Sequence, residues 1–316
     1  MTIYGVPQLA APPVLTDSGL ETDLIFGRGW DLPEFASFPL LASEAGRATL
    51  TAYYQEHVEV ALAHGTGFVF ETPTWRASRD WGQRLSYYSG DLDQINSDAV
   101  RLVRQVRDAS PSLKSATISG NLGPRGDGYM PSAVMVADEA RSYHARQIEA
   151  LVGAGADVIT VLTLNYAAEG LGIAQAAKDA RIPVILSFTV ETDGSLPDGS
   201  HLGSAIGFID DQTDGYVSFY GLNCAHPEHM SPAITPGATW TSRIGSLRAN
   251  ASKLSHAELD ALDTIDAGDP GELASDYDEL RSLLPNLTVF GGCCGTDVRH
   301  VSAIANVVAP LSRTSA

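Results

Sequence analysis

Cysteine is scarce in this chain, with three in 316 residues, and basic side chains are in deficit, 20 Lys and Arg against 38 Asp and Glu. The resulting formal charge of −18 repels phosphate backbones and anionic lipid surfaces, so neither nucleic acid nor a membrane is an expected partner. Apolar runs are short: none approaches the roughly 20 residues needed to span a bilayer. Met1 to Pro13 has no basic segment followed by an apolar one, so no leader is expected and the protein is expected in the cytoplasm. Internal repeats, low-complexity tracts and long linkers are missing too. With 44% apolar and 18% charged residues the composition is that of a globular chain with a sizeable core, which excludes disorder and collagen.

The three cysteines are placed with a pattern. Cys224 ends Leu222-Asn223-Cys224, and Cys293 and Cys294 sit in Val289-Phe290-Gly291-Gly292-Cys293-Cys294-Gly295, each after a short apolar run. Free cysteine is often a small buried hydrophobe, and two of the three could pair as a disulfide. An adjacent pair bridged to itself is uncommon, and an odd count leaves one thiol over. The glycines favour a third reading, since Gly291, Gly292 and Gly295 remove side chains around the pair and let the backbone turn both sulfurs toward one point. Three thiolates select zinc and leave a tetrahedral ion one open position, and a reducing compartment keeps them free for it.

Eight runs rich in Val, Ile, Leu and Phe read as strands: Val14 to Thr16, Gly67 to Glu71, Ala116 to Ser119, Val158 to Leu162, Val184 to Thr189, Tyr216 to Leu222, Arg243 to Leu247 and Thr288 to Phe290. Helical patterns lie between them at Glu44 to His64, Ser97 to Ala109, Asp138 to Val152, Ala167 to Ala180, Glu272 to Leu284 and Asp297 to Val308. Strand and helix alternate, and no early Gly-rich dinucleotide fingerprint marks a doubly wound sheet. A (β/α)8 barrel forming one domain over residues 1–316 is therefore expected.

Such barrels build their sites at the carboxyl ends of the strands, where this chain carries its polar signatures. They are Thr16-Asp17-Ser18-Gly19, Glu71-Thr72-Pro73-Thr74-Trp75, Gly120-Asn121-Leu122-Gly123-Pro124, Asn223-Cys224, Asn250 and the cysteine pair. A rim shared by the sixth and eighth strands brings Cys224 to Cys293 and Cys294. The Gly/Pro/Asp-rich stretches Pro124 to Pro131 and Asp193 to Gly199 read as loops.

Through nearly its whole length the chain resembles the homocysteine S-methyltransferase family, which includes betaine-dependent and S-methylmethionine-dependent enzymes. The marks are Gly291-Gly292-Cys293-Cys294-Gly295 and Gly221-Leu222-Asn223-Cys224, with weaker ones at Asp17, Glu71-Thr72-x-Thr74, Gly120-Asn121-Leu122-Gly123-Pro124 and Leu196-x-Asp198-Gly199. The resemblance implies a zinc-dependent barrel that moves a methyl group from a sulfonium or ammonium donor, S-methylmethionine or S-adenosylmethionine, onto the thiol of homocysteine, giving methionine. It implies Zn2+ on Cys224, Cys293 and Cys294, and Asp17 holding the acceptor's amino group. Chemistry agrees, because zinc removes the proton of a thiol whose pKa is about 8.5 and leaves a nucleophilic thiolate.

Further candidates surround that centre. Glu71 can hold substrate or brace the rim, Asn223 can orient the metal loop, and Asn250 stands in the segment Ala249-Asn250-Ala251-Ser252 after the seventh strand. Trp75 and Tyr166 can face a cationic donor with their rings, or pack. His201, His226 and His229 fall in loops near the rim, where any could be a fourth ligand or a solvated side chain. One departure stands out. After the fourth strand the family carries Glu-Thr, whereas this chain reads Leu162-Thr163-Leu164-Asn165-Tyr166, which leaves a different small thiol or selenol acceptor open. A thiol-binding module served by a partner protein carrying the methyl group is the rival outside enzymes, and the short stretch after the cysteine pair leads us to expect the enzyme.

Overall fold

The computed structural model describes residues 5, 6, 9, 13–131 and 134–309. Eight parallel strands close into a barrel in sequence order. They are β1 (Val14–Leu15), β2 (Gly67–Glu71), β3 (Ala116–Leu122), β4 (Val158–Leu164), β5 (Val184–Phe188), β6 (Phe219–Asn223), β7 (Ile244–Ala249) and β8 (Val289–Gly292). The ring closes where Val14 and Leu15 of β1 pair with Val289 and Phe290 of β8. Crossovers carry α1 (Glu44–His64), α2 (Ser89–Asp108), α3 (Ala137–Ala154), α4 (Ala167–Asp179), α5 (Leu202–Thr213), α6 (Pro227–Ala233) and α7 (Pro270–Leu283), while α8 (Val298–Val308) follows β8. The (β/α)8 architecture is the expected one. No helix among the described residues is long and apolar enough to cross a membrane.

Local chemistry sets the helix limits. Ser43 caps α1 by accepting the Gly46 N–H at 3.0 Å, and Gly65 ends it in the left-handed region at φ 60°, where no Cβ is penalised. Two crossovers escape the sequence pattern. In α5, Gly203 and Gly207 dilute the helical signal, yet Gly203 is where Trp240 packs against the backbone. In α6, a seven-residue helix contains Pro232. Helix α2 also begins eight residues earlier than expected, its polar first half reading as loop.

Alternation along the strands sorts side chains between two apolar regions. Outward residues such as Phe68, Phe70, Ile118, Leu186 and Phe290 pack against the helices in the main core. Inward ones at the amino end, Val69, Val158, Ile185, Phe219 and Val289, form a separate cluster with Val6, Leu9 and Val14 that fills the lower barrel. One step up, the interior turns polar: Ser119 Oγ donates to Thr160 Oγ1 at 2.7 Å, and Glu71 stands in the same row. Apolar packing thus holds the barrel from below and leaves its upper end for chemistry.

Candidate metal centre and acceptor pocket

Cys224 leaves β6 with φ 54°, a conformation uncommon for a residue with a Cβ. Hydrogen bonds hold it there: its N–H donates to Arg248 O at 3.1 Å, and its carbonyl accepts from His256 Nε2 at 2.7 Å and Thr189 Oγ1 at 3.2 Å. Two strands away, the Cys293 N–H donates to Ala249 O at 2.9 Å and the Cys293 carbonyl accepts from Thr296 Oγ1 at 2.7 Å. A Cβ on Gly292 would collide with Thr296, and Gly295 turns the chain at φ 80°. The glycines around the pair serve close approach and turning.

The three sulfurs lie within 4.8 Å of one another, and Cys224 and Cys293 are joined as a disulfide. That pairing is the alternative the odd count left open, and it leaves Cys294 as the free thiol. Burial pushes the Cys294 thiol up to about 11, so it stays protonated at neutral pH unless a cation takes the proton's place. A tetrahedral zinc with Zn–S bonds of about 2.3 Å separates its sulfurs by about 3.8 Å, which this cluster spans once Cys224 and Cys293 are reduced. The donor set fits such an ion.

Above the cysteines opens a cavity of about 420 Å³ at the carboxyl ends of the strands. Asp17, Glu71 and Trp75 line it, as expected. Asp17 is engaged by the protein on both oxygens: Oδ1 accepts from Thr16 Oγ1 at 2.9 Å and from Arg248 Nη2 at 2.7 Å, and Oδ2 accepts from the Tyr53 hydroxyl at 3.3 Å. Glu71 lies 3.9 Å from Arg248 Nη1, and burial raises its pKa to about 7 against the pull of that arginine. Asn223 sits beside the cysteine loop, with Nδ2 4.0 Å from Cys293 Sγ. Its amide also grips Thr163, which stands at φ 65° inside a register shift of β4.

Other expected residues are elsewhere. Tyr166 stands just before α4 and turns its hydroxyl to the Met135 N–H at 3.1 Å, away from the cavity it was expected to line. Asn250 is buried behind the rim, its N–H on Ala225 O at 3.0 Å, and does not line the cavity either. His226 accepts the Glu228 N–H as the cap of α6, and burial lowers its pKa to about 4. His201 precedes the first residue of α5 without a side-chain capping bond, and neither these two nor His229 lines the cavity or joins the cysteine cluster.

Two residues went unread in the sequence. Arg248 fills the interior of β7, where an inward charge in Ser246-Leu247-Arg248 was the available signal. Tyr129 brings its hydroxyl 3.8 Å from Cys294 Sγ and stacks on His256 with ring centroids 3.9 Å apart. It comes from the loop Pro124 to Pro131, whose composition announces a turn and no contact.

A family model described as homocysteine S-methyltransferase matches residues 15–308. The chain belongs to the homocysteine S-methyltransferase family. It is a methyltransferase by that membership, and the cysteine cluster falls where the family marks were read. Homocysteine S-methyltransferase 4 of Zea mays is 26% identical over 97% of this chain and 92% of its own length. Methionine synthase of Mycobacterium tuberculosis is 28% identical over 71% of this chain, a match that spans 19% of that protein. Among solved structures, the homocysteine methyltransferase MmuM of Escherichia coli aligns in its metallated form over 93% of this chain and 96% of that one, with TM-score 0.67 at 19% identity. Its oxidised form aligns with TM-score 0.66 at 20% identity. These structural likenesses support the barrel.

Proposed function

We propose that this chain, acting as one barrel domain in a reducing compartment such as the cytoplasm, transfers a methyl group from a sulfonium or quaternary ammonium donor to the thiol of homocysteine, giving methionine. S-methylmethionine and S-adenosylmethionine are the donors it would take. Convergence of Cys224, Cys293 and Cys294 at the foot of an open cavity is the observation that carries the reading. Zn2+ held by the three reduced cysteines would lower the acceptor thiol's pKa and keep it as a thiolate at neutral pH. In the transfer, a sulfur lone pair forms the new S–CH3 bond, the donor's bond to its methyl breaks with the pair going to the donor heteroatom, and the thiol proton goes to solvent.

The cavity suits a cationic donor. Asp17, Glu21, Glu71, Asp127, Asp260 and Asp266 line the cavity against two guanidiniums, those of Arg76 and Arg248, and Trp75 and Tyr129 offer ring faces. Arg76 itself lies over Trp81 at 3.8 Å and Trp75 at 5.0 Å, which fixes the Trp75 ring. The cavity walls would place donor and thiol in line, a gain of positioning rather than of acid–base chemistry. Metal analysis of protein purified under reducing conditions, followed by assay of thioether formation with homocysteine and each donor, tests the proposal. One zinc per chain and product without a second protein are expected; protein that holds no zinc and makes no product would overturn it.

A further inference from the structure

The floor of the cavity carries a charge arrangement of its own. Arg248, buried on β7, donates through Nε to Gly292 O at 3.0 Å and through Nη2 to Asp17 Oδ1 at 2.7 Å, with Glu71 3.9 Å from Nη1. Nη1 and Glu71 Oε2 have no hydrogen-bond partner. Both Asp17 oxygens are engaged, and β4 contributes the apolar Leu162 to the same wall. An ammonium group brought to this floor meets an aspartate whose nearest oxygen already holds a guanidinium. Its attraction to the carboxylate is offset by repulsion from a like charge at nearly the same place.

We propose that Arg248 is a specificity-determining residue that withdraws Asp17 from substrate recognition, so that the acceptor is selected by its thiol and carboxylate more than by its amino group. A mercapto acid without the α-amino group then serves as acceptor about as well as the amino acid does. The free donor on Nη1 suits an anionic acceptor, while a cationic one finds only Glu71 Oε2 beside a guanidinium 3.9 Å from that carboxylate. This inference rests on the proposed methyl transfer to a thiol and names which thiols that site takes. The exchange balances as before: the acceptor thiol loses its proton to solvent, its sulfur gains the methyl, and the donor heteroatom keeps the pair from the broken bond.

The test compares homocysteine, 4-mercaptobutanoate and 3-mercaptopropan-1-amine on the zinc-loaded protein, by turnover with one fixed donor and by calorimetric binding without donor. Expected is a kcat/KM and an affinity for 4-mercaptobutanoate within about fivefold of homocysteine, with the amine the weakest of the three. A loss of about 100-fold or more for 4-mercaptobutanoate, or an amine that binds as tightly as homocysteine, overturns the inference. Binding with this ranking but no methylation by any donor would sink the proposed reaction and leave the assignment of Arg248 standing. Arg248→Met is expected to shift the ranking toward the amine; should it fail to fold, the wild-type series decides alone.

Discussion

Asn223 and Thr163 exchange two hydrogen bonds across the barrel mouth. The Thr163 N–H donates to Asn223 Oδ1 at 2.9 Å and Asn223 Nδ2 donates to Thr163 Oγ1 at 2.8 Å, linking β6 to β4 over the intervening β5. One amide therefore locks a left-handed residue of β4 and sits directly before Cys224. Asn223→Ala is expected to weaken zinc binding by about 10–100-fold, the usual loss when an orienting partner of a metal ligand is removed. It also strands a buried N–H, which costs about 1–3 kcal/mol in a urea titration. Unchanged metal affinity would place Asn223 outside the metal site's support.

Cys294→Ala removes the one cysteine outside the disulfide. Because losing a supporting partner costs up to about 100-fold, losing a ligand is expected to cost at least that in zinc affinity and to abolish measurable methyl transfer. Far-UV circular dichroism should stay unchanged, since the loop is fixed by backbone hydrogen bonds and not by this side chain. Full zinc content in the variant would exclude Cys294 as a ligand.

Glu71 makes stability depend on pH. Its folded pKa of about 7 lies above the ordinary carboxyl value because burial disfavours the charge, so the folded chain binds the proton more tightly than the unfolded one. Its contribution is most favourable below the unfolded pKa and declines as pH rises toward the folded value, through a window of about pH 4.5 to 7. Glu71→Gln, which keeps the shape and drops the charge, is therefore expected to raise stability at pH 8 by about 1–3 kcal/mol relative to its effect at pH 4.5. Urea titrations of both proteins across that range measure it, and a constant difference would refute the assignment.

Arg248→Met leaves two buried carboxylates without their counter-ion. Breaking one side of a buried pair costs about 3–5 kcal/mol, so the variant's denaturation midpoint should fall sharply. Adding Asp17→Asn should restore most of the loss, and failure of the double variant to recover would show that Arg248 acts by packing alone.

Much of this fold could be read from residue patterns, and the exceptions have physical causes. Eight apolar runs named the strands because strand interiors and helix-facing sides are both apolar, but the runs stopped short where strands turn polar at the top: Gly120, Asn121 and Leu122 belong to β3, and Asn223 to β6. Helix α5 was hidden by glycines, of which Gly203 has its reason in a tryptophan elsewhere in the chain. The cysteines were legible because their type and spacing carry chemistry. Arg248 was not, since its meaning depends on Asp17, 231 residues away. Tyr166 misled for the opposite reason: its position after β4 was right, but a rotamer decides which way a ring faces.

The lower barrel is packed with Val6, Leu9 and the inward valines, isoleucine and phenylalanine of the strands, while the cysteines lie at the foot of the upper cavity. On the proposed chemistry, traffic is then one-way-in, same-way-out. A thiol seated on the metal lies underneath the methyl donor, so it must arrive first, and the demethylated donor must depart before the thioether can. Steady-state kinetics should accordingly show a compulsory order, with the thioether competing against the thiol and the spent donor competing against neither free-enzyme partner.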